Sequence, residues 1–474
     1  MLASKRLLFL SFWCWVFLTL LGPIRNTDLW WHLASGRYIV THHLIPSVDI
    51  FSLTCRGHVW LNVEWLYQVS VYSAYVLGGI FGITLFKIIW VSLIMAFIMR
   101  RLRQAGVSDL GIYACAIVVF AACLPGWSER ADLISVTLVA ALMVSLEGVR
   151  RGRLSRKHLL YWIPVFLIWA NAHAGFIVGF GIAGLYAIEF IRLRRLSIRH
   201  AFLWLIAVGM TSFATPLGIS MWKGIIYCLT LPQRDIQDIE EYWPPPWRHM
   251  ATFWLALILF ALLCARNFER RLKMPWLAWV ISFLFGYEAA CHSRYVPFFM
   301  VAAFPFVIES AFSERNGSIH PQWAKLFRTE WLTGGLLIMA LMQWPRVALG
   351  VPPTQVPVDV CNYIIAHRIK GRFFTDYDFG SYWIWRFDGN PAVFIDGRGP
   401  AVDGYMELKN EIKQARRSPS DWQKFMRRYA ITAVVTQDPG PTVRALLTTY
   451  YFPKNQWKLV YRDALALLFV KSAR

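Results

Sequence analysis

The sequence has little charge, and least of all acid. Of its 474 residues only 16% are Asp, Glu, Lys or Arg, and the 28 acids face 49 bases. A soluble globular domain carries about 25% charged residues. Together with 57% hydrophobic and 16% aromatic residues, this shortage excludes a disordered tail protein, a coiled coil and an ordinary soluble enzyme. Motif chemistry is sparse too. No P-loop, HExxH or GxSxG is present, so the sequence carries no sign of the usual phosphate cradle, zinc peptidase helix or hydrolase elbow. Eight cysteines are present without a single Cys-x-x-Cys, which argues against a thiolate metal site. Internal repeats and low-complexity tracts are not evident.

Long apolar runs are plentiful. A spanning helix needs roughly 20 mostly apolar residues. Eleven segments qualify as candidates: about 7–23, 82–100, 110–124, 131–149, 158–172, 175–191, 200–217, 250–267, 274–290, 295–313 and 330–346. Lys5 and Arg6 precede the first, but Leu21-Gly22-Pro23 is a poor cleavage site, so it reads as a retained helix. With the N-terminus inside, the short inner segments hold Lys5 and Arg6; Arg100, Arg101 and Arg103; Arg150, Arg151, Arg153, Arg156 and Lys157; Arg192, Arg194, Arg195 and Arg199; Arg266, Arg270, Arg271 and Lys273; Arg315, Lys325 and Arg328. The longer outer segments before residue 347 hold Arg25, Arg37, Arg56, Arg130, Lys223, Arg234, Arg248, Arg294 and Arg346. This bias is the positive-inside pattern. It accounts for most of the net charge of +21 and requires no nucleic-acid partner. The stretch 61–78, with Asn62, Glu64 and Gln68, reads as an interfacial helix on the outer face, because counting it as a span would put Arg100–Arg103 outside.

The expected fold is a polytopic α-helical membrane protein of about eleven transmembrane helices with a small C-terminal α/β domain. The boundary falls near residue 347, giving a membrane domain over 1–346 and a tail over 347–474, marked by Val351-Pro352-Pro353 and Pro357. In the tail, 372–375, 392–395, 430–435 and 465–470 read as strands, and 357–369, 404–417, 420–429 and 441–449 as helices. Two outer loops are long, 24–81 and about 217–249, which places the working face outside. Cys55 and Cys361 lie in outer regions, where a bridge between them is one option.

The first outer loop opens with the strongest local pattern. Thr27 or Asp28 caps a helix whose one face carries Asp28, Trp31 and His32. Trp30 and Trp31 suit the membrane–water boundary. Asp28 is either an N-cap alone or a carboxylate aimed at a headgroup held at that depth. The same loop adds Arg37, Asp49, Arg56, His58 and Glu64. A second outer turn adds Glu129, Arg130 and Asp132. If Asp28 and Asp132 shared a cavity they would supply a base or a pair of hard oxygen ligands for a divalent metal, Mg or Mn; alternatively Asp132 only complements a helix N-terminus. His173 sits in the outer turn Trp169-Ala-Asn171-Ala-His173-Ala-Gly175. Glu288, His292 and Arg294 sit at the outer end of the ninth span, where Glu288 needs a partner and Arg294 is the candidate. Glu240-Glu241-Tyr242-Trp243 is an acidic aromatic loop that suits sugar hydroxyls or simple packing. In the tail, Asp378, and Asp396 with Arg398 in Phe394-Ile-Asp396-Gly-Arg398, follow strands and read either as a working edge or as turns. Gly179-Phe-Gly181-Ile-Ala-Gly184 matches GxGxxG but lies in an apolar span, so it reads as helix packing. Asn316-Gly-Ser318 matches a glycosylation sequon on the inner side.

The order of these features resembles the GT-C superfamily of integral-membrane glycosyltransferases, which includes protein O-mannosyltransferases, aminoarabinose transferases and oligosaccharyltransferase catalytic subunits. The motifs Asp28-Leu-Trp-Trp-His32, Gly36-Arg37-Tyr38, Asp49-Ile-Phe-Ser52, Glu64-Trp65, Arg294-Tyr-Val-Pro297, Asp378-Phe-Gly380-Ser-Tyr382 and Phe394-Ile-Asp396-Gly-Arg398 look like a bacterial branch of it. The resemblance implies a multi-pass protein of the bacterial inner membrane, N-terminus cytoplasmic and tail periplasmic. It implies sugar transfer from a polyprenyl-phosphate-linked donor to a glycan, lipid or protein acceptor. Asp28 would be the general base, Asp132 a supporting or metal-related group, and Arg294 with Arg130 the donor-phosphate ligands. Two departures stand out: Asp28-Leu29 is not the Asp-Glu pair of protein mannosyltransferases, and the WWD-type motif is absent. A lipid-linked-sugar flippase and a non-catalytic envelope assembly factor are the other readings; against the flippase, no matched pair of Gly/Pro-broken half-helices is evident.

Overall fold

The structure, a computed structural model, describes residues 2–230, 239–269, 274–312 and 329–472. Arg234, Arg270, Arg271, Lys273, Arg315, Lys325, Arg328 and the Asn316 sequon lie outside the described residues. The chain is mostly helical and divides into two compact units. One comprises Met1–Gly22, Phe81–Gly218 and Leu231–Leu349; the other comprises Pro23–Ile80, Ile219–Thr230 and Gly350–Arg474.

In the first unit, each of the apolar segments expected from sequence falls on helix. Among the described residues four helical stretches are long and apolar enough to cross a membrane: Trp65–Ala105, Asp132–Arg150, Glu240–Phe268 and Ser293–Phe312. Side-chain caps open several of the shorter helices: Ser108 Oγ accepts from the Gly111 N–H, and Ser197 Oγ from the His200 N–H. The first stretch breaks where Gly78 (φ −150°) and Gly79 (φ 56°, ψ −139°) leave helical geometry. A boundary between the two units falls at this break, so Trp65 to Leu77 is a helix in its own right, as the Asn62–Gln68 polarity suggested.

Several basic residues counted toward the positive-inside pattern are buried or paired. Arg101 is buried and donates from Nε to Glu309 at 2.7 Å and from Nη1 to the Ala302 carbonyl at 3.0 Å. That carbonyl belongs to a π-helical turn, Phe299–Ala303, whose wider spacing frees carbonyls from the helical ladder. Arg151 donates to the same Glu309 at 2.5 Å, while Arg150, Arg151 and the Tyr186 hydroxyl all donate to Glu147. Gly179 lets the Trp169 ring pack against the helix backbone, whereas Gly181 and Gly184 meet nothing; only one glycine of the GxGxxG match serves packing.

The second unit carries a four-stranded sheet, β1 (Phe373–Thr375), β2 (Ala433–Gln437), β3 (Trp457–Arg462) and β4 (Ala466–Lys471), in the order β1-β2-β4-β3. β1 runs parallel to β2 and the other pairs are antiparallel. Helices Val358–Ala366, Tyr405–Ala415 and Pro419–Arg428 match expectation, and Phe374 packs on Phe394, Trp422 and Phe425. Three expectations need correction. First, 392–395 is not a sheet strand, because its backbone is taken by the first outer loop: Val393 bridges Ser52, and the Leu53 N–H donates to the Val393 carbonyl at 2.7 Å. Second, Tyr377–Phe387 is a helix, driven by Phe379, Tyr382 and Trp383 on one buried face. Third, Trp30 and Trp31 pack inward, 3% and 7% exposed, against Tyr382 and Trp60 instead of forming a belt. Cys55 and Cys361 are both free thiols, so the bridge does not form.

Breaking a buried ion pair on one side costs roughly 3–5 kcal/mol because the partner stays charged. Glu309→Gln leaves Arg101 and Arg151 short of a carboxylate and is expected to lower the thermal unfolding midpoint of the detergent-solubilised chain clearly. Lys424→Ala, which breaks an exposed pair with Asp421 at 3.5 Å, leaves it unchanged. Equal midpoints for the two variants would contradict the assignment.

Candidate functional site

Asp28 lies in the second unit, at the N-cap position of the helix Leu29–His42. Its carboxylate makes no capping hydrogen bond, and its own N–H is taken by Asn26 Oδ1 at 3.0 Å. The side chain is therefore not spent on starting the helix. It is half-buried and reaches the tail, where its Oδ1 occupies the place a Cβ on Gly397 would fill. Ser381 Oγ lies 3.0 Å from that same place. Tyr377 is close by: burial first, then the Asp28, Asp396 and Asp378 carboxylates, push its hydroxyl well above the usual tyrosine value, so it stays protonated.

Gly397 is bracketed by a buried ionic knot. Arg398 donates from Nε and Nη2 to the two oxygens of Asp396 at 2.8 and 2.7 Å, and from Nη1 to Asp49 Oδ1 at 2.7 Å. The Tyr405 hydroxyl lies 3.0 Å from Nη2 and donates to Asp396 at 2.5 Å. The guanidinium also sits 4.8 Å over the Trp60 ring. Asp49 further accepts from the Phe51 N–H at 2.9 Å and from the Ser52 hydroxyl. Burial alone would raise the Asp49 pKa, but Arg398 and these donors outweigh it and hold it below the ordinary 3.8. The side chains of Asp49, Asp396 and Arg398 are 0% exposed. They pair with one another, and their donors and acceptors are used within the knot.

The other expected residues of this unit also have partners. His32 is buried between Trp31 and Tyr67, with Nε2 3.6 Å from Glu64. Arg37 donates to Asp388 at 2.9 Å and stacks on Trp385. Asp378 is exposed beside Gln437.

The first unit holds a cluster around Arg130. Arg130 makes a bidentate pair with Glu241 and lies 3.7 Å from Asp132. Asp132 starts the helix Asp132–Arg150, and its buried Oδ1 has no hydrogen-bond partner among the described residues. Glu288 pairs with His292 at 3.0 Å, correcting the expected partner; Arg294 instead meets the Tyr242 hydroxyl and stacks 4.8 Å over that ring. In the turn between the helices Trp162–Ala172 and Phe176–Arg192, the Gly175 N–H and the Ser135 hydroxyl both reach His173 Nδ1, so Nε2 carries the proton. Burial holds this imidazole down at about 4, with Asp132 opposing and Arg294 and Arg130 adding to the shift. Sequence reasoning gave no part to Ser135, Ser381 or Gly397 and did not foresee Tyr242 beside Arg294; these contacts are distant in the chain.

Among the described residues no group of three His, Cys, Asp or Glu gathers as metal ligands.

No protein-family model and no curated sequence matches the chain. Solved structures do. The oligosaccharyltransferase AglB from Archaeoglobus fulgidus, in complex with an inhibitory peptide and a dolichol-phosphate, aligns at TM-score 0.60 and 10% identity over 92% of this chain and 69% of that one. ArnT from Cupriavidus metallidurans, bound to undecaprenyl phosphate, aligns at TM-score 0.55 and 10% identity over 98% and 97%. The chain shares its fold with these two proteins. At this identity the likeness is one of fold alone.

The stability that Asp49 contributes is complete above its ordinary value of 3.8. It is lost as the pH falls through the lower folded-state value. The gap in urea stability between the native chain and Asp49→Asn should therefore be constant above about pH 5 and narrow below about pH 4. A gap that closes near neutral pH would rule this out.

Proposed function

We propose that this chain is a membrane glycosyltransferase that moves a sugar from a polyprenyl-phosphate donor to an acceptor on the outer face of a bacterial inner membrane. The observation that carries the reading is Asp28: in a GT-C fold, an early first-loop carboxylate is released from capping duty and held against the tail turn. All eleven apolar helices cross the bilayer in this proposal, with the N-terminus and the basic loops cytoplasmic and the tail periplasmic. The two neighbours, each solved with a polyprenyl-type phosphate, support the donor class.

In the reaction Asp28 takes the proton of the acceptor hydroxyl or amine. The acceptor atom attacks the anomeric carbon, the bond from that carbon to the phosphate oxygen breaks, and the electron pair leaves with polyprenyl phosphate. The motif resemblance assigns the donor phosphate to Arg294, which lies in the first unit. Its partner Tyr242 is a neutral phenol, and among the described residues no carboxylate forms a salt bridge with it, so its charge remains available. Arg130 is already matched by Glu241 and serves less directly.

Release of undecaprenyl phosphate from undecaprenyl-phosphate-linked mannose, glucose or aminoarabinose tests this. Asp28→Asn is expected to lose about 10²–10⁴-fold in rate at unchanged folding. Arg294→Ala is expected to raise the donor KM roughly 10- to 100-fold, the worth of a charge-assisted hydrogen bond. Full activity in Asp28→Asn would remove the assigned base.

A further inference from the structure

The turn Asp396-Gly397-Arg398 contains a glycine that its backbone does not require. Gly397 is not among the glycines with positive φ, so any L-residue could adopt its conformation. The reason for glycine there is steric. A Cβ at 397 would collide with Asp28 Oδ1, with Asp28 Cγ 3.3 Å away and Ser381 Oγ 3.0 Å away. The two residues flanking Gly397 form a buried ion pair. Arg398 forks onto both oxygens of Asp396, and the Arg398 N–H donates to Asp396 Oδ1 at 2.9 Å. This closes a ring across Gly397. The remaining arm of the guanidinium reaches Asp49, in the same loop that carries Asp28.

We propose that the Asp49–Asp396–Arg398 knot is a positioning device for Asp28, and that Gly397 is the seat into which the Asp28 carboxylate fits. The proposal rests on Asp28 being the base. A base must be held within about 0.5 Å of its working geometry. The seat supplies that restraint: the Gly397 backbone forms one wall and Ser381 another. Asp49, Asp396 and Arg398 are fully buried, so they act through the turn and not on the substrate. Sequence separations of more than 340 residues between Asp49 and Arg398 then have a purpose, since one guanidinium sets the register between the loop that carries the base and the turn that receives it.

Two measurements on the detergent-purified full chain test this. The first is a thermal unfolding cycle of Gly397→Ala, Asp28→Ala and the double variant. Gly397→Ala should lower the midpoint by about 4 °C or more in the native background and by no more than about 1 °C when Asp28 is already alanine. If Gly397→Ala does not fold, the double variant should recover folding. Equal losses in both backgrounds, or a double variant that stays unfolded, would overturn the seat. The second uses Arg398→Lys, which keeps the charge and removes the fork. With the best of the three undecaprenyl-phosphate sugars, kcat should fall about 100-fold with donor KM unchanged; a raised KM at native kcat would overturn the positioning role. If the native chain releases no undecaprenyl phosphate from any donor, the activity reading fails, and the unfolding cycle still decides the seat.

Discussion

Much in the second unit depends on one buried cation, the Arg398 guanidinium. Taking a charge out of water costs several kcal/mol unless it is paired and fully hydrogen-bonded. Arg398 meets that condition only because Asp396 comes from its own turn, Asp49 from the first outer loop and Tyr405 from the following helix. Each of those segments must be in place before the arginine can be buried. Backbone bonds between Leu53 and Val393, and between Leu61 and Ala401, then seal the loop to the tail. The tail is thus one folded body with the loop that opens with Asp28.

The scarcity of acid gives this account its shape. In a chain with 28 acids, many of the buried ones match a base: Asp396 and Asp49 match Arg398, Glu309 matches Arg101 and Arg151, Glu147 matches Arg150 and Arg151, and Glu129 matches Lys87 at 2.7 Å. Those carboxylates stabilise packing. Asp28 and Asp132 stand apart. Asp28 makes no capping hydrogen bond, and Asp132 lies 3.7 Å from Arg130.

Most of the helical architecture was legible in the sequence, because apolar run length and basic inner loops are local signals. Asp28 at the head of a helix was legible for the same reason. The pairing of 392–395 with the first loop was not, since an apolar run of four residues carries no information about its partner. The helix Tyr377–Phe387 was hidden by its aromatic residues and Gly380, which favour other structure locally; packing of Phe379 and Trp383 overrides that preference. Asp49, Asp396 and Arg398 were legible as notable residues but not as a knot. A buried salt bridge and a substrate contact use the same residue types, and only burial separates them. Glu288 was matched with the wrong cation because Arg294 is near in sequence while His292 shares its helix face at i+4.

The central claim is that this GT-C fold handles a lipid-linked sugar at Asp28. Native mass spectrometry of the purified chain, ejecting its tightly held lipids, tests it most directly. The account predicts a polyprenyl phosphate or its glycosylated form bound to the native chain. Bulk phospholipid alone, with added undecaprenyl phosphate failing to bind, would contradict it.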